Sequence, residues 1–400
     1  MRIAIVASSY PRFEQDGNAR FMRSIAEAQA ARGHDVHVIA PHAPQVRPYA
    51  TSVRLHWFRY GPAALSLMGH AGALENDRAL KKTAYALAPF FFLAQAATLA
   101  RVIRRYHIDL IHAHWVVPNG VAAALLSRVT GRPLFVTLHG SDVYLSMRKA
   151  WLGCMARRVF ARAREVTACS PELAEGAVTL GADRSHVHVI PWGASPEVFA
   201  SPIGDAALRV QLRLPSDAPI VLAIGRLVGK KGFDYLIRAV PEVLAQRPAV
   251  RFVIVGQGPE RERLQQLAQS LNVADRVLLP GAVPWTDVPK YLKMCAMLVV
   301  PSVHDMGGNL DGLPTTVLEA MAAGRPVIAT PIGGIPLVVE HDRTGLLVPE
   351  ADAPALARAI VQLLSSPGQI DRLGGEARSR VERELNWAAV AQRFDQLYGV

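Results

Sequence analysis

The chain has 400 residues, enough for two domains of ordinary size, each with its own core. Half of the residues are hydrophobic, yet mean hydropathy is only +0.17, which excludes a polytopic membrane protein and fits apolar sheets in a soluble one. Net charge is +11 and unevenly spread: residues 1–200 carry 23 Lys and Arg against 13 Asp and Glu, residues 201–400 carry 21 against 20. The basic residues are not interleaved with a recognition motif, so nucleic acid is not expected as a partner. Cys154, Cys169 and Cys295 are too few and too far apart for a disulfide framework or a zinc cluster, and a reducing cytoplasm is the expected compartment.

The first residues, RIAIVAS (2–8), read directly as a strand, so no signal peptide is expected. Further strands are predicted at 35–40, 53–58, 109–113, 134–138, 165–168 and 187–190, with helical patterns at 17–32, 83–105, 118–130, 148–162 and 171–181. The stretch TAYALAPFFFLAQAATLA (83–100) holds eighteen uncharged residues and approaches membrane-spanning length. Pro89, Gln95 and the many alanines argue against a span. Two readings stay open, a buried helix and a helix lying on an anionic membrane surface. The second is served by basic clusters at Lys81-Lys82, Arg101 to Arg105 and Arg148 to Arg164.

PWGASPEVFASPIGD (191–205), rich in proline and turn formers, reads as a linker. It divides a domain at 1–195 from one at 196–383, and the helical residues 384–400 are expected to pack back on the first. In the second domain, strands at 220–224, 251–255, 276–279, 297–300, 326–329 and 345–348 alternate with helices. Such alternation predicts parallel sheets with helices on both faces, and ligands at the carboxyl ends of strands, where the Gly225, Pro301 and Thr330 loops fall.

AIGRLVGKKGFDYLIRA (223–239) is a strand ending at Gly225, a glycine-rich loop and an amphipathic helix. Free N–H groups and the helix dipole favour phosphate there. Arg226 offers a planar fork and Lys231 a mobile point charge, a pair suited to a diphosphate. The spacing does not match G-x-x-x-x-G-K-[ST], so a nucleotide-hydrolase loop is excluded. GQGP (256–259) lacks the spacing and the acidic partner of a dinucleotide fingerprint, which leaves a dehydrogenase weakly supported. In DGLPTTVLEAMAAGRPVIAT (311–330), Asp311 precedes a helix that Gly324 ends, and Glu319 lies within it. The two carboxylates suit a hydroxyl-rich ligand; the plain alternative is a helix-dipole partner and a solvated glutamate.

GRLVGKKGFDYLI, VGQGPERERL, VPSVHDMGGNLDGLPTTVLEAMAAGRPVIAT and GGIPLVVEHDRTGLLVPE occur in one order and resemble the nucleotide-sugar domain of retaining family-4 glycosyltransferases. IHAHWVVPNGVAAALL (111–126), VTLHGSDV (136–143) and the loop around Gly17 extend the resemblance to the first half. It implies the GT-B fold, α/β with two Rossmann-like parallel-sheet domains facing a cleft. It also implies sugar transfer from a UDP- or GDP-sugar to a glycan or lipid-linked acceptor, with no cofactor or metal required.

By position, the resemblance makes Arg226 and Lys231 diphosphate ligands that also stabilise the leaving group, and Glu319 a ribose acceptor. Asp311 stands where the family usually has the first Glu of an E-x7-E pair, near the transferred sugar. His139 would touch that sugar and Asp142 would orient its loop, while Gly17 admits backbone N–H groups to the diphosphate. Gly225, Gly312 and Leu313 would complete the donor site, and Gly333 and Gly334 the sugar pocket. His112 and His114 alternate on a strand and could suggest metal ligands; the reading preferred is that they shape the acceptor side of the cleft. Departures are Trp192 for the usual Asn, Ser195 for an acidic residue and Leu337 for a Glu. They keep open a nucleotide-sugar binder without catalysis, and a GT-B epimerase is a further alternative. The basic first half points to surface polysaccharide or glycolipid assembly at the cytoplasmic membrane face.

Overall fold

The computed structural model describes the chain except residues 63–65, 67, 70–73, 76–78, 81, 201–204 and 306–307. Lys81 of the first basic cluster and 201–204 of the expected linker thus lie outside the described residues. The chain forms two units, Met1–Ile190 with Val390–Val400, and Pro191–Ala389.

The first unit is built on seven parallel strands: β1 (Arg2–Val6), β2 (Asp35–Pro41), β3 (Arg54–Phe58), β4 (Leu110–His114), β5 (Leu134–Leu138), β6 (Glu165–Ala168) and β7 (Val187–Val189). Their order is β3-β2-β1-β4-β5-β6-β7. RIAIV, LIHAH and LFVTL are buried almost throughout, as expected of strands covered by helices on both faces. Because the order reverses between β1 and β4, the connections leave in opposite directions and open a crevice at the strand carboxyl ends.

Helix Lys82–Tyr106 contains Pro89 and is long and apolar enough to cross a membrane, yet a third of its most apolar window is buried in the unit. Phe91 and Leu99 are inside, and buried Gln95 donates to Asn119 Oδ1 at 2.7 Å. Tyr85, Phe90 and Leu93 face outward.

Residues of the last helix, Trp387–Tyr398, complete the first unit. Asp395 pairs with Arg32 and with His34, and Phe394 packs edge-on against His112. The buried Tyr398 hydroxyl accepts from Gln29 Nε2 at 2.8 Å and bonds His112 Nδ1 at 2.7 Å.

The second unit repeats the plan with β8 (Ile220–Ile224), β9 (Arg251–Val255), β10 (Val277–Gly281), β11 (Met297–Val300), β12 (Val327–Ala329) and β13 (Gly345–Leu347), all parallel, in the order β10-β9-β8-β11-β12-β13. Its reversal falls between β8 and β11. The core unites Val221, Phe252, Ile254, Leu236, Ile237 and Val240 with helix Ala353–Ser365. At its edge Ala194 donates to the Leu385 carbonyl at 2.9 Å, so the incoming and returning chain lie side by side.

Tyr398→Phe leaves Gln29 and one nitrogen of His112 without their partner inside the first unit. The expected loss is about 1–3 kcal/mol, measured as a lower urea midpoint with unchanged slope.

Candidate active site

The donor-side residues gather where β8 and β11 diverge. From β8 the chain passes Gly225 into a 3-10 turn, Gly229–Lys231, and then helix Phe233–Gln246. Gly232 has φ +62, and a Cβ there would stand 1.8 Å from the Pro301 carbonyl oxygen, so glycine alone lets the turn lie against the end of β11. The Val303 amide then donates to the Lys230 carbonyl at 2.9 Å, which joins the two loops. Gly225 leaves room for the Lys231 methylenes, whose Cε lies 3.2 Å from where a Cβ would be.

Asp311 bridges the lysines, its Oδ2 2.6 Å from Lys231 Nζ and its Oδ1 3.3 Å from Lys230 Nζ. Lys230 is only 8% exposed. Burial alone would push the Asp311 carboxyl up, but Lys231, Lys230 and Arg226 together hold it well below the usual carboxylate range. The Gly334 amide donates to the Gly312 carbonyl, and a Cβ on Gly333, at φ +60, would meet the Asp311 carbonyl at 2.3 Å. With Leu313 buried beside them, the loops after β8, β11 and β12 are joined around one polar cluster.

Glu319 sits in helix Thr315–Ala322. Burial raises its carboxyl to about 7, against the opposing pull of a side-chain hydrogen bond with Trp285. Trp285 begins a turn after β10, and Phe199 meets it edge-on with ring centroids 6.0 Å apart. Neither Lys230 nor Trp285 was expected at the site. Lys230 shows only as the first of two adjacent lysines, which in regular helix would not share a face. Trp285 lies outside every motif.

In the first unit, Asp142 organises the ends of β4 and β5. Its Oδ2 accepts from the Val116 amide at 2.8 Å, and its Oδ1 from the amides of His139 and Gly140 at 3.2 and 3.0 Å. It belongs to the first turn of helix Ser141–Arg148, where the sequence reading has a loop. Burial raises its carboxyl although these amides favour the charged form. His139 stacks on Trp115 with centroids 4.0 Å apart, and its Nε2 bonds His114 Nδ1 at 3.0 Å. Desolvation lowers His139 to about 3, so its imidazole is neutral near pH 7.

His112 and His114, expected to shape the acceptor side of the cleft, are buried rings of β4. His112 is buried, with Nδ1 on Tyr398 and Nε2 on Thr137 Oγ1 at 2.7 Å. His114 is also buried, its Nδ1 bonded to His139 Nε2. Among the described residues, no group of three or more His, Cys, Asp or Glu is arranged to hold a metal ion. Gly17 is exposed in a loop that Asp16 shapes by accepting from the amides of Arg12 and Asn18 at 3.0 and 3.1 Å.

Since the folded protein binds the Glu319 proton more tightly than the unfolded chain, stability associated with this group is present at low pH and lost as pH rises through about 7. Glu319→Gln should raise the melting temperature by roughly 2–4 °C at pH 8 and leave it nearly unchanged at pH 5, read by differential scanning calorimetry.

Residues 205–380 match the family described as glycosyl transferases group 1, and residues 16–198 match glycosyltransferase family 4. The D-inositol 3-phosphate glycosyltransferase of Streptomyces scabiei is 31% identical over 313 residues, 73% of this chain and 68% of that one. A GDP-mannose-dependent alpha-(1-6)-phosphatidylinositol monomannoside mannosyltransferase of Mycolicibacterium smegmatis is 29% identical over 334 residues, 82% of this chain and 87% of that one. Among solved structures, the sucrose-phosphate synthase of Thermosynechococcus elongatus aligns over 100% of this chain and 98% of its own, with TM-score 0.77 and 25% identity. Taken with the two reversed parallel sheets and the cationic pocket, these matches show that the chain belongs to glycosyltransferase family 4 and has the GT-B fold.

Proposed function

We propose that this glycosyltransferase moves a hexosyl group from a UDP- or GDP-sugar to a glycan or lipid-linked hydroxyl, with retention of configuration and without a metal. The observation that carries the reading is the gathering of Arg226, Lys230 and Lys231 around one carboxylate at the end of β8. Charge develops on the departing diphosphate in the transition state, and fixed cations that meet it there lower the barrier. These three supply the positive charge that a divalent ion supplies in metal-dependent transfer. Glu319 serves the ribose and changes charge near neutrality, so the strength of that contact follows pH. Neutral His139, braced by Asp142, serves the transferred sugar by hydrogen bonding. Retention rests on the family resemblance, with same-face attack in which the leaving diphosphate takes the acceptor proton.

A lipid-linked acceptor is supported by the mannosyltransferase relative, whose name specifies a phosphatidylinositol mannoside. It is also supported by an exposed apolar surface on the first unit. Tyr85 and Trp151 meet there with ring centroids 6.0 Å apart; Phe90 and Leu93 are exposed on the helix of Tyr85, Met155, Arg157 and Arg158 on that of Trp151, and Met147, Arg148 and Lys149 just before it. Exposed apolar side chains with cations among their sequence neighbours suit the inner face of an anionic membrane, a peripheral cytoplasmic location.

Incubation with UDP- and GDP-sugars, with and without a lipid extract, should yield turnover of one donor and a product whose anomeric proton keeps the donor's configuration by NMR. Lys231→Ala should lower that turnover at least about tenfold, roughly 1.4 kcal/mol of transition-state stabilisation. Unchanged turnover in the folded variant sinks its role. No turnover of any donor would make the protein a nucleotide-sugar binder, and release of an epimerised free sugar would make it an epimerase. Phe90→Glu with Trp151→Glu should cut co-sedimentation with anionic vesicles at least about fivefold, roughly 1 kcal/mol; undiminished binding refutes the membrane surface.

A further inference from the structure

We propose that Asp311 is the resident counter-anion of a three-cation phosphate site, and that Lys230 is its third cation beside Arg226 and Lys231. The inference rests on the diphosphate reading above and changes what two residues do within it. Asp311 stands where a sugar-facing carboxylate is expected, yet its two oxygens are given to two ammonium groups, at 2.6 and 3.3 Å. The short aspartate side chain sets its carboxylate between them. Lys230 and Lys231 are at least as enclosed as the carboxylate, with side-chain exposures of 9% and 12% against 12% for Asp311. Buried ammonium groups need a partner, and Asp311 is that partner when no donor is bound. Three cations and one carboxylate leave two positive charges, which matches the two negative charges of a sugar-linked diphosphate.

An ammonium has three donors, so each lysine can keep Asp311 and still meet a phosphate oxygen. The carboxylate nevertheless repels the incoming anion. Its charge therefore stabilises the empty pocket and weakens donor binding, the opposite of a sugar ligand.

The test is calorimetric titration of the full chain with UDP and with GDP, at two salt concentrations. Asp311→Asn should bind the preferred diphosphate at least about fivefold more tightly than the wild type, and should melt lower when empty, with the difference closing at saturation. Lys230→Met should bind at least about fivefold more weakly and with a smaller salt dependence. Equal or weaker binding by a folded Asp311→Asn overturns the counter-anion role. Should that variant not fold, Lys230→Met decides, and unchanged affinity there overturns the third-cation assignment. Lys231→Met is the control for the underlying reading. No binding by the wild type, or unaltered binding by this variant, overturns the diphosphate site itself.

Discussion

A carboxylate held between two enclosed lysines is the interaction on which the second unit's pocket depends. The three loops that form the pocket follow β8, β11 and β12, and their sequences are far apart. Arg226, Lys230 and Lys231 would repel one another if brought together alone. Asp311 makes their proximity tolerable, and glycines make it sterically reachable: Gly232 against the Pro301 carbonyl, Gly333 against the Asp311 carbonyl. Electrostatics and backbone clearance thus solve the same problem from two sides. Neither suffices, since a Cβ at 232 would part the loops that the ion pairs draw in.

The two units share a strand order but furnish their crevices differently. The second unit gathers charge. The first sets an uncharged ring, His139, at its strand ends, with His112 and His114 buried on β4 behind it, and burial keeps all three neutral. The buried acid Asp142 is spent on backbone amides and ties together the ends of β4 and β5. One strand order therefore carries a cluster of charges in one unit and a set of neutral rings in the other.

Much of this was legible in the chain. Apolar runs such as IVLAI and RFVIV mark fully covered parallel strands, and their bounds agree with the sequence reading at 220–224 and 251–255. Gly225, Arg226, Lys231 and Asp311 could be grouped because strand ends in a parallel sheet converge by topology. What could not be read was direction. A strand covered on both faces has no outward side, so the alternation of His112 and His114 says nothing about which ring meets substrate. The partner that removes His112 from the site, Tyr398, lies 286 residues away. Helix Ser141–Arg148 was hidden because HGSD reads as a turn, and only the fold shows Asp142 beginning a helix there.

The last helix has a temporal meaning. Residues 390–400 pack in the first unit although the whole of the second is encoded before them. During synthesis the chain emerges from its amino end, and domains ordinarily fold in that order. Here Gln29, Arg32, His34 and His112 wait for Asp395 and Tyr398, which leave the ribosome after the whole of the second unit. The sheet of the first unit is thus begun before the second unit and finished after it, and a chain cut at residue 389 would hold a complete second unit and an unsealed first one.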